Sequence, residues 1–144
     1  MSIVKAIQDA WGWTGLVPER VVGENDFGNY LIKDVNGRYW RLCPEDLYCV
    51  VVANDRNELD ALSRNPEFLH DWYMRRLVEL AHEKLGQLEG AEKYHFKIPG
   101  LLGGEYGESN LCTVPQMEQI RFSGELAFQL QDLPDGTKVK LNFI

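Results

Sequence analysis

Hydrophobic and polar positions change period several times along the chain, and each change predicts an element. Residues 2–11 put Ile3, Ile7 and Ala10 on one face at helical spacing, with Val4 and Trp11 beside them, and so predict a short helix. Gly12 and Gly15 break that pattern, and Trp13 and Leu16 are placed to cap a core. Residues 16–28 read as loop with a short strand at Val21–Val22. From Asn29 the period becomes two. Tyr30–Lys33 and Arg38–Leu42 flank an Asn36-Gly37 turn, which supplies positive φ cheaply and predicts a hairpin. The continuous apolar run Leu47–Ala53 predicts a central strand covered on both faces.

Helical spacing then returns. Asp55 with Glu58 three residues on has the form of a capping box. Asn65 and Pro66 suit an N-cap and first helical position, and a stripe of Leu69, Trp72, Tyr73, Leu77, Leu80, Ala81 and Leu88 predicts one long helix ended by Gly86 or Gly90. Trp40 and Trp72 are expected in the core between sheet and long helix. Residues 93–98 predict a strand stopped by Pro99-Gly100, residues 110–114 a short one, and residues 116–132 a helix interrupted near Ser123-Gly124. Pro134-Asp135-Gly136 is a turn, and alternation over residues 138–143 predicts a last strand. Together these give an α+β fold, a mainly antiparallel sheet packed against a long central helix and shorter helices, in one domain over residues 1–144.

Charge narrows the function classes. The chain carries 22 acidic and 15 basic residues, interspersed, for a net charge of −7. That disfavours direct binding to nucleic acid or anionic membrane and favours a basic partner through steering, although acidity also serves solubility alone. Cys43, Cys49 and Cys112 show no CxxC or Cys/His zinc spacing and fit reduced, mostly buried thiols. The N-terminus shows no signal-peptide pattern, and no apolar run approaches a membrane span, so a cytoplasmic protein is expected.

Candidate chemistry is sparse. His70 and His82 lie twelve residues apart on the expected long helix and cannot jointly hold one ion, and His95 falls in a strand. There is no HExxH and no GxSxG, and Ser63 and Ser109 lack a nucleophile's local context. The Gly100–Gly107 segment lacks the P-loop spacing and its lysine, and Glu105 would repel phosphate. Tyr106 in that segment reads equally as an exposed anchor beside Glu105 and Glu108 or as a ring packed back onto the sheet. No metal or other cofactor is expected.

Five motifs occur in order: Asn25-Asp26-Phe27-Gly28-Asn29; Gly37 to Glu45; Phe68-Leu69-His70-Asp71-Trp72; Leu102-Gly103-Gly104-Glu105-Tyr106 with Asn110; and Leu133-Pro134-Asp135-Gly136. In this order and spacing they resemble the C-terminal domain of the Tdi-type immunity family of bacterial type VI secretion, from about Trp11 to Phe143. Longer relatives carry a preceding GAD-like domain, expected here to be absent or reduced to the first twenty or so residues. The resemblance implies an immunity protein, without enzymatic activity, that binds and neutralises a cognate secreted toxin, typically a nuclease, in the cytoplasm. Gly28, Gly37, Gly103 and Gly104 read as turn positions. The expected toxin-binding residues are Glu105, Tyr106, Glu108, Asp132 and Asp135, in a monomer or weak dimer. The alternatives are a regulatory module for another protein partner and a small hydrolase with a non-local site.

Overall fold

In the computed structural model, which describes residues 2–134, 136 and 137, the Asn36-Gly37 turn forms as its sequence dictates. Gly37 takes φ 83°. The Asp34 carboxylate accepts the Asn36 and Arg38 backbone N–H groups and Trp40 Nε1–H, each at 2.9 Å. Burial alone pushes this carboxyl up, but those hydrogen bonds and Arg38 hold it below its usual range. The turn joins two strands, Tyr30–Asp34 and Tyr39–Cys43, with Ile32 opposite Trp40. Flanking strands Pro18–Glu24 and Tyr48–Ala53 complete an antiparallel meander. In chain order these are β1 (Pro18–Glu24), β2, β3 and β4 (Tyr48–Ala53), and they lie side by side in that order. β4 is therefore an edge strand, not the central one its apolarity predicted, and Val50 on it is exposed. Its continuous run serves one buried face and one open face.

One face of the sheet is dry. Tyr30, Ile32, Trp40, Leu42 and Cys49 pack against Ile7 and Trp11 of α1 (Ile3–Trp11) and against Ile120, Leu126 and Ala127 of a helix over Gln116–Leu130. That helix, α5 in chain order, runs unbroken through Ser123-Gly124, where an interruption was expected. The Ser123 hydroxyl donates to the Gln119 carbonyl one turn back at 2.6 Å. A Cβ on Gly124 would lie 2.8 Å from the Ala10 carbonyl carbon, so the glycine is what lets α1 and α5 touch.

Past β4, α2 (Arg56–Leu62) is capped by Asp55, and Asn65 caps α3 (Pro66–Tyr73) by accepting from the Glu67 and Phe68 amides. The expected long helix stops there. Met74 takes a left-handed conformation, φ 47° and ψ 40°, and α4 (Arg75–Leu85) starts in a new direction, ending at Gly86. The break lets Trp72 turn toward the sheet while Leu77, Val78 and Ala81 turn to a second cluster with Phe27, Tyr94, Phe96 and Leu111. Tyr73, expected in the stripe, is instead half exposed. The second cluster rests on a two-stranded antiparallel ribbon of β5 (Glu92–Phe96) and β6 (Leu111–Pro115). The fold is α+β, but the sheet's core helices are α1 and α5 rather than one long central helix. The strand expected over residues 138–143 lies outside the described residues.

Candidate protein-binding surface

Trp40 and Trp72 sit on opposite faces of the sheet, because neighbouring strand residues alternate. Trp40 faces the dry core, and Arg41 points the other way, toward Trp72. There the Arg41 guanidinium lies 5.3 Å from the Trp72 ring and 5.8 Å from Phe68, while its Nη1 pairs with Asp71. Its Nε donates to Asn29 at 3.0 Å, and Asn29 Nδ2 donates to both Glu45 oxygens at 2.6 and 2.8 Å. The Cys43 thiol also donates to Glu45. Burial pushes the Glu45 carboxyl up, against the hydrogen bonds from Cys43 and Asn29. Asn25 Nδ2 donates to the Trp72 carbonyl at 2.7 Å. The first three motifs thus meet in one polar layer that fixes α3 on the sheet.

The fourth motif builds a loop with little freedom. Asn110 is buried, accepts the Ile98 amide at 2.9 Å, and donates to the Ile98 and Glu105 carbonyls. Lys84 Nζ holds the Glu108 carbonyl at 2.6 Å, and Ser109 donates to the Glu105 carboxylate. Gly103 has positive φ, as do Gly28 and Gly37, whereas Gly104 is required by close approach to the Ile98 carbonyl. Tyr106 is both packed and exposed. Its ring stands edge-on to Phe96 at 4.8 Å and its hydroxyl donates to Asp46, yet it remains half exposed. Burial and then the Asp46 carboxylate push its phenol up, so it stays a protonated donor.

Glu105, Tyr106 and Glu108 therefore share one pinned, exposed loop. Asp132 is exposed two residues past the end of α5, and among the described residues no hydrogen bond, ion pair or ring contact joins it to that loop. Asp135 lies outside the described residues. Reading the sequence missed the partner that orients Tyr106, because Asp46 is sixty residues away along the chain. It also missed Phe128, which is exposed and meets the exposed Trp13 edge-on at 5.5 Å.

His70 and His82 fall on different helices, α3 and α4. Asp71, which shares a hollow with His70, is committed to Arg41. His95 is buried, and desolvation pulls its imidazole down to about 4. Among the described residues no three His, Cys, Asp or Glu side chains are grouped to hold a metal ion. All three cysteines are free, Cys43 and Cys49 buried and Cys112 partly so. Among the described residues no helix is long and apolar enough to cross a membrane.

The described residues thus form a small α+β scaffold with two hydrophobic clusters, a buried polar layer and a pinned acidic loop. A family model described as T6SS immunity protein Tdi1, C-terminal, matches residues 53–127, just over half of the chain, and the chain belongs to that family. The matched stretch runs from the end of β4 through most of α5 and contains the third and fourth motifs, with the acidic loop. No curated protein sequence matches the chain.

Proposed function

We propose that this protein neutralises a nuclease-type type VI toxin in the cytoplasm by binding it, as a monomer or weak dimer, without a cofactor and without catalysis of its own. Membership of the type VI immunity family carries this reading. The net charge of −7 supplies a physical route, since an acidic surface can compete with a phosphate backbone for a basic nuclease cleft. We assign the contact to the loop bearing Glu105, Tyr106 and Glu108, with Asp132 and Asp135 beyond α5 as further acidic groups. The loop is held before binding by Asn110, Lys84 and Asp46, so little ordering entropy is lost when a partner closes on it.

The test is association kinetics with the purified toxin. Raising salt from about 0.05 to 0.5 M should slow association at least tenfold, because the Debye length falls well below the size of the surface. Glu105→Lys with Glu108→Lys should lower the rate further and weaken inhibition. Association that ignores salt, or full inhibition by the double charge reversal, would remove the loop and its electrostatics from the account.

A further inference from the structure

A hollow away from the acidic loop shares none of its residues. It has a volume of about 620 Å³ and lies between α1 and α5. Ala10 of α1 meets Gly124 of α5, and Trp13, in the turn after α1, meets Phe128. Small residues make the floor: Ala6, Ala10 and Gly124. Met117, Trp13 and Phe128 supply the larger apolar surface. Phe128 is 52% exposed and Trp13 38%. Trp13 Nε1 already donates to the Ala10 carbonyl at 3.0 Å, and its ring stacks on Trp11, so the face it presents outward is apolar and fixed. Such a patch costs solubility when left open and marks an interaction site.

The rim selects the occupant. Asp9, Glu118 and Glu125 line the groove against the single cation Arg121. Arg121 pairs with Glu125 and Lys5 with Asp9, which leaves Glu118 as excess negative charge at the edge. A second copy of this chain would bring two such rims together in a molecule of net charge −7, so the groove does not suit self-association. A floor of small residues between two packed helices accepts a third helix at close range. From Met117 to Phe128 the groove runs about 16 Å along α5, or three helical turns, with Glu118, Arg121 and Glu125 between its apolar ends.

Building on the toxin-neutralisation reading, we infer that the α1–α5 groove receives an apolar, basic-flanked helix of the toxin, a second contact face separate from the acidic loop. One wall, α5 to residue 127, lies within the family match, whereas α1 and Phe128 lie outside it. The groove is therefore a place where specificity for one toxin can be set on a shared scaffold.

The experiment measures equilibrium binding of the catalytically disabled toxin to the full chain and three variants. Phe128→Asp should raise Kd at least tenfold and Glu118→Lys several-fold, while Val35→Asp, at an exposed position in the hairpin turn, should change nothing. Circular dichroism confirms the fold of each; if Phe128→Asp does not fold, Glu118→Lys carries the test. Binding within twofold of wild type by both groove variants would overturn the proposal and leave the immunity reading standing. A dimer of the free chain that Phe128→Asp dissolves would also overturn it, in favour of a second copy. Failure of the wild-type chain to bind would instead overturn the immunity reading, and the groove proposal with it.

Discussion

Arg41 is buried, and its charge is tolerated because Nε donates to Asn29, Nη1 pairs with Asp71 and the guanidinium lies over the Trp72 and Phe68 rings. Arg41→Ala removes the cation and leaves Asn29, Glu45 and the aromatic pair without their filler. It should cost about 3 kcal/mol or more in chemical denaturation. His95 gives a pH signature. Its folded pKa, about 4, lies below the usual 6.5, so the unfolded chain binds more protons between those values. Stability from this group is complete above about pH 6.5 and is lost as pH falls toward about 4, by at most about 3 kcal/mol. His95→Gln should flatten that limb of the stability–pH curve; an unchanged slope would show that the imidazole is not the group responsible. Gly28, with φ 73°, faces Gln119 so closely that a Cβ would fall 2.7 Å from its amide carbon. Gly28 is legible in the sequence as a turn position, whereas Gln119, ninety-one positions on, leaves no local trace.

At the scale of elements, local signals were readable wherever the cause was local. The Asn36-Gly37 hairpin, the Asp55 and Asn65 caps and the Gly86 stop all form, because each depends on residues within four positions. The Met74 break was not legible: no glycine or proline marks it, and it lets Trp72 face Arg41 on the sheet while Ala81 faces the second cluster. Gly124 misled in the opposite sense, reading as an interruption when it is a packing contact. Gly124→Ala makes the distinction measurable. In an isolated helix alanine would stabilise by about 1 kcal/mol. Here the new Cβ meets the Ala10 carbonyl, and the substitution should destabilise by about 2 kcal/mol as α1 is forced away. A higher melting temperature in this variant would contradict the α1–α5 contact. Gly107→Ala, with open space around the added carbon, should change it little.

For the whole molecule, two packed clusters support two outward surfaces, an acidic loop and an apolar groove. The loop's acidic and aromatic residues were visible as a run in the sequence. The groove was not, because its halves come from opposite ends of the chain and are apolar positions that look like ordinary core. Family membership places the chain among type VI immunity proteins, and the two surfaces are the proposed contacts. An immunity protein that acts by binding alone has a definite stoichiometric signature, and titrating it into a fixed amount of the purified toxin, proposed to be a nuclease, reads that signature directly. The account predicts that nuclease activity falls linearly to zero at one chain per toxin, with the toxin recovered intact and active when the complex is dissociated. Inhibition completed well below one equivalent, or a toxin left covalently altered, would show that the protein works by catalysis instead.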